Sequence, residues 1–176
     1  MHAPRTLVVG LGNPILGDDG VGWRVVQALS CQARLSPDVE VDCMALGGLS
    51  LMERLVGYDR AIVVDAICTG EAPPGSVRCF ALDDLPDFCT GHTTASHDVS
   101  LQTALRVGRA MGAKLPREIV VVAVEAEHVY DFCETLSPPI AAAVPEAVRQ
   151  VLALLEKANS VRNSPPSSSL KYGTDE

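Results

Sequence analysis

Two uninterrupted apolar runs, residues 61–64 (AIVV) and 119–124 (IVVVAV), constrain this chain more than any other feature. A half-solvated strand alternates apolar and polar residues. A run with no polar break suits a parallel strand covered on both faces. Parallel neighbours need crossover connections, usually helices, and the sequence between the runs carries helical stripes. Residues 6–10 (TLVVG) read as a further buried strand. Val21, Val25, Ala28 and Leu29 mark a helix within 20–31. Residues 39–43 form a short alternating strand. Leu51, Met52, Leu55 and Val56 mark a second helix that Gly57 ends. Residues 75–82 follow a Pro-Pro-Gly turn and read as an extra strand. Residues 83–95 read as a loop. Leu101, Ala104, Leu105, Gly108 and Met111 make a third stripe. From Ser137 the last helix begins, with Val144, Ala147, Val148, Val151 and Leu155 on one face. Pro145 is expected to kink or restart it.

Strands thus alternate with helices, and the expected fold is α/β: a three-layer α/β/α sandwich with a mostly parallel, twisted sheet flanked by helices. At 176 residues the chain fits one domain. Residues 1–158 are assigned to it. Residues 159–176 are Ser/Pro-rich and polar, cannot bury a core, and are expected to be a disordered tail.

Composition removes several classes of function. Lys and Arg total 14 against 22 Asp and Glu, a net charge of −8, and aromatic residues make up 4%. Such a chain has neither the charge to grip phosphate backbones nor a platform for stacking bases, so no nucleic-acid partner is expected. The six cysteines, at 31, 43, 68, 79, 89 and 133, include no C-x-x-C pair. A zinc knuckle or thioredoxin-type motif is therefore not expected, and most are read as small apolar core residues. The first residues carry neither a signal peptide nor a membrane span. The expectation is a soluble cytoplasmic protein with reduced thiols and no membrane partner. Nothing in the sequence addresses oligomeric state.

In α/β sheets, sites form beyond the carboxyl ends of the strands. The first such connection, residues 10–22 (GLGNPILGDDGVG), holds five glycines, one Pro, one Asn and two Asp. It is not the G-x-G-x-x-G dinucleotide fingerprint, and acids at a helix start would repel a pyrophosphate. It also lacks the Gly-Lys-Ser/Thr of a Walker A loop. Peptidyl-tRNA hydrolases share the opening strand and GLGNP. Their first loop requires a following His and Asn, where Asp18 and Asp19 stand here. Gly12, Asn13 and Asp18 are read as supporting the loop, Asp18 by capping or bracing it. That leaves Asp19 to face the crevice.

Asp65 ends the apolar run at 61–64. A carboxylate there is solvated at the crevice, bound to something cationic, or simply a turn or cap residue. His97, in TTASHDVSL, lies at the mouth of the third helix, with Asp98 beside it to cap or orient. Taken alone, a histidine there is more often a helix-start or surface residue than a ligand. His128 follows the last strand, His92 is a weaker candidate, and His2 weaker still. Asp19, Asp65 and His97 come from three strand-to-helix connections. Two carboxylates and an imidazole with open positions suit a divalent first-row metal.

Three stretches in order, VVGLGNPILGDDGVG, AIVVDA and SHDVSLQTAL, resemble the motifs of the [NiFe]-hydrogenase maturation proteases. The resemblance spans about residues 5–157. It implies an endopeptidase that removes the C-terminal extension of a [NiFe]-hydrogenase large-subunit precursor after nickel insertion. It places metal contacts on Asp19, Asp65 and His97. The implied nickel is carried by the substrate, with zinc or cadmium able to replace it in crystals. Where family members carry Asp or Glu, this chain has the shorter Asp19. No Ser-His-Asp or Cys-His arrangement is evident, which leaves an aspartic-type or metal-dependent peptidase with Asp19 as base and Asp65 as its positioning partner. The alternatives are a nickel-dependent assembly chaperone that binds the precursor without cutting it, and a peptidyl-tRNA hydrolase-like enzyme.

Overall fold

The two apolar runs become neighbouring parallel strands, β3 (Arg60–Ile67) and β5 (Glu118–Glu125), in register from Arg60 opposite Glu118 to Ile67 opposite Glu125. The computed structural model describes residues 4–32, 35–84 and 100–162. Within them, β1 (Thr6–Leu11) pairs parallel with β3 on one side and with β2 (Val39–Met44) on the other. β4 (Val77–Ala81) pairs antiparallel with β5, and the order is β2-β1-β3-β5-β4. Every residue of β1 and β3 is buried, whereas β2 and β4 are partly exposed. Burial on both faces is what the unbroken apolar runs encode, and the alternating segments take the edges.

Side chains on successive strand residues point to opposite faces, and each face builds its own core. Val8, Ile62, Val64, Val122 and Val124 pack beneath α1 (Val21–Gln32) and α4 (Pro138–Arg162), against Val25, Leu29, Ile140, Ala147 and Val151. Leu7, Val9, Ala61, Val63 and Val121 pack beneath α2 (Gly48–Leu55) and α3 (Leu101–Ala110), against Leu51, Leu55, Ala104 and Leu105. The result is the three-layer α/β/α sandwich. Each fully buried Leu or Val contributes on the order of 2 kcal/mol, so the aliphatic core holds the layers together with few aromatic rings.

Four sequence expectations are corrected. β3 does not stop at Asp65 but continues to Ile67, where the Ile67 carbonyl still accepts the Ala126 N–H at 2.8 Å. α4 runs through Pro145 as one helix, Pro138–Arg162. Met111 follows the last residue of α3 and is exposed, so the third stripe ends at Gly108. Among the described cysteines, Cys31, Cys68, Cys79 and Cys133 are exposed and Cys43 is half-buried. They sit on edge strands, at helix ends or in loops, and of them Cys43 packs against the core. Among the described residues no helix is long and apolar enough to cross a membrane.

Candidate active site

The first connection turns sharply out of β1. Gly12 has φ +122°, and a Cβ there would lie 1.9 Å from the Asp19 carbonyl oxygen. Only glycine permits both the backbone angle and the close approach. The turn brings the Asn13 N–H to the Asp19 Oδ2 at 2.5 Å, while the Asn13 Oδ1 accepts the Ile15 N–H at 3.2 Å. Residues Gly17–Gly20 then form one 3-10 turn, with the Asp19 N–H donating to the Leu16 carbonyl at 3.2 Å. The start of α1 lies hard against the sheet. A Cβ on Gly22 would lie 2.3 Å from the Leu11 carbonyl oxygen and 2.4 Å from that of Val64. The start of α1 is therefore pressed onto the ends of β1 and β3, with Asp19 three residues before Gly22.

The two adjacent aspartates have different surroundings. Asp18 is buried and turned towards α4, where its Oδ1 accepts the Ser137 N–H at 2.7 Å and its Oδ2 accepts the Ser137 hydroxyl at 2.9 Å. It makes no side-chain cap for its own 3-10 turn. Instead it braces the start of α4, where the helix dipole favours a negative charge. Asp19 (2% exposed) and Asp65 (4% exposed) are as deeply buried as the core around them. Asp65 shares its strand face with Ala61, Val63 and Ile67, the side covered by α2 and α3.

A fourth carboxylate escaped the sequence reading. Glu125 ends β5 and is 2% exposed. Its Oε1 accepts the N–H groups of Thr69 and Gly70, at 2.7 and 2.8 Å. Its Oε2 accepts the Thr69 hydroxyl at 2.7 Å and an Arg78 N–H at 3.0 Å. Burial opposes its ionisation, but the Thr69 hydroxyl, the two backbone donors and the Arg78 charge together hold its pKa below the ordinary glutamate value. Glu125 thus ties down the connection leaving β3. Its signal was available, since IVVVAVE ends a buried run on an acid just as AIVVD does. Burial, followed by the charges of Glu125, Asp19, Asp18 and Asp65, pushes the Cys68 thiol up from its ordinary value.

The loop after β5 completes the edge. It receives the Asp18 N–H on the His128 carbonyl (3.1 Å) and the Gly17 N–H on the Cys133 carbonyl (2.6 Å). His128 contributes this carbonyl, while its exposed ring pairs with Asp131 at 3.1 Å. His97, Asp98, His92 and His2 lie outside the described residues. Among the described residues, no three His, Cys, Asp or Glu side chains are gathered closely enough to hold a metal ion. α3 starts at the Ser100 N-cap, whose Oγ accepts the Thr103 N–H at 3.3 Å, three positions after His97.

The chain is similar to known proteins over most of its length. Residues 23–154 match the family model described as hydrogenase maturation protease. The chain is 30% identical over 161 residues to the hydrogenase expression/formation protein HoxM of Azotobacter vinelandii, covering 92% of this chain and 77% of that protein. It is 29% identical over 154 residues to the hydrogenase 2 maturation protease of Escherichia coli K12, covering 88% and 92%. Among solved structures, the hydrogenase maturating endopeptidase HybD from Escherichia coli superposes with a TM-score of 0.69 at 28% identity, covering 88% of this chain and 93% of that one.

Proposed function

The chain belongs to the hydrogenase maturation protease family, and on that premise we propose that it is the cytoplasmic endopeptidase that removes the C-terminal extension of a [NiFe]-hydrogenase large-subunit precursor once nickel has been inserted. The observation that carries this reading is the pair of buried carboxylates, Asp19 and Asp65, held at the carboxyl edge of β1 and β3. The nickel belongs to the substrate. Two carboxylates and one imidazole leave a first-row ion incompletely coordinated. An ion already held by precursor thiolates completes its shell with Asp19, Asp65 and His97. A precursor without nickel offers this site nothing to grip, so metal loading becomes the condition for recognition.

In this reading Asp19 is the base and Asp65 positions the ion. Asp19 takes a proton from water as the water oxygen attacks the scissile carbonyl. The same proton passes to the departing amide nitrogen as the C–N bond breaks, leaving a carboxylic acid and an amine, between which the second water proton then passes to give carboxylate and ammonium. The Asn13 N–H on Oδ2 fixes the orientation of the Asp19 carboxylate for that transfer. The test is intact-mass analysis of nickel-loaded precursor incubated with Asp19→Asn, Asp65→Asn or His97→Ala. Each variant should keep the wild-type circular dichroism spectrum and leave the precursor uncut. Normal cleavage by all three would overturn the site assignment.

A further inference from the structure

Apolar side chains left in water are unevenly placed on this molecule. Ile15, Leu46, Leu49, Tyr130 and Phe132 are all exposed, Phe132 to 87%. Ile15, Leu46, Tyr130 and Phe132 lie in the connections after β1, β2 and β5, and Leu49 in the first turn of α2, which follows β2. These strands are parallel, so all five side chains emerge at the edge that carries Asp19. The loop contacts set their arrangement. The Cys133 N–H donates to the Ile15 carbonyl at 3.1 Å, which seats Ile15 beside Phe132. The Gly12 N–H donates to the Met44 carbonyl at 3.0 Å, which holds the Leu46–Leu49 connection against the other end of the same loop. Asn13, which holds Asp19, lies between these two attachments. The carboxylate site is thus flanked by apolar groups on both sides.

The flank after β5 is also acidic. Glu127, Asp131 and Glu134 are exposed around Tyr130 and Phe132. The basic side chains nearby are already engaged, the His128 ring with Asp131 and Arg24 with the Glu134 carbonyl, to which it donates at 2.8 Å. Exposed aromatic and aliphatic groups gathered at one edge mark an interaction surface, and the surrounding carboxylates select a cationic partner. We propose that these five side chains form a docking rim for the client polypeptide, gripping bulky apolar side chains that have Lys or Arg beside them. This rests on the protease reading, because the client is then the precursor itself.

The experiment compares the wild type, Tyr130→Ser/Phe132→Ser and Met111→Ser. Met111 is an equally exposed residue (81%) just past the end of α3, outside the rim. With nickel-loaded precursor, the double variant is expected to raise KM at least about tenfold with kcat within about twofold, the size of effect found for interface anchors. Met111→Ser should change neither. Added NaCl should raise the wild-type KM by weakening the acidic flank. A double variant with the wild-type KM overturns the rim. Binding of the precursor to Asp19→Asn, with and without the double substitution, separates the two ideas. Binding that depends on the rim without any cleavage by the wild type would sink the protease reading alone. A wild type that sediments as a dimer, converted to monomer by the double substitution, would assign the rim to a second copy and overturn the proposal.

Discussion

Asp18 and Ser137 are 119 positions apart, yet one carboxylate accepts both the backbone N–H and the hydroxyl of that single serine. The contact locks the first loop to the start of α4, and it separates the duties of two adjacent acids. Asp18→Ala should therefore cost about 3 kcal/mol, the loss of two charge-assisted hydrogen bonds in a buried site. Ser137→Ala keeps the backbone donor and should cost about 1 kcal/mol. Urea denaturation measures both. Equal costs would mean that the hydroxyl carries the whole contact.

Gly12→Ala should be among the most damaging single-methyl additions in the chain. The new Cβ would meet the backbone of Asp19, which a side-chain rotation cannot relieve. Gly112 also has a positive φ (+82°) but opens onto space. Gly112→Ala should cost about 1 kcal/mol of backbone strain, and Gly12→Ala several times that. Denaturant midpoints for the two variants give the comparison, and similar midpoints would contradict the geometry of the first turn.

Glu125 makes stability depend on acid. Its folded pKa lies below its unfolded value, so its contribution is fully present above the ordinary carboxylate pKa of about 4.3 and is lost as pH falls through the lower folded value. Glu125→Gln should cost about 2 kcal/mol near neutrality. The gap in Tm between wild type and variant should narrow as pH drops below about 4. Thermal melts from pH 3 to 7 provide the check, and a gap that widens in acid would reverse the assignment.

Truncation after Arg162, the last residue of α4, should leave activity unchanged and shift Tm by no more than about 2 °C, because a Ser/Pro-rich polar segment has little apolar surface to bury. Differential scanning calorimetry of the shortened chain is the measurement. A loss of several degrees would show that residues 163–176 dock on the domain.

The layers of this fold were legible because burial on both faces leaves a continuous apolar record, as in residues 61–64 and 119–124. Strand order left no such record. β4 reads as one more strand, and only its pairing with β5, Val77 opposite Val124, reveals that it is antiparallel. The same limit governs the site. Asp65 could be singled out because an acid is conspicuous where an apolar run ends, and Asp19 because it is the second of two acids in a glycine-rich strand-to-helix connection. That Asp18 braces was readable from the sequence, but its partner was not, since Ser137 arrives from the far end of the chain. The cysteines misled for a related reason: small and apolar describes the side chain, whereas exposure depends on where its element ends. Glu125 obeyed the rule used for Asp65, three residues before a histidine that drew attention away from it.

The most direct test is a paired incubation of the wild-type protein with one precursor, prepared with and without nickel, followed by intact mass. The expected result is loss of a C-terminal peptide from the nickel-loaded sample alone. Equal cleavage of both samples would contradict metal-gated recognition, and an unchanged mass in both would contradict the protease reading itself.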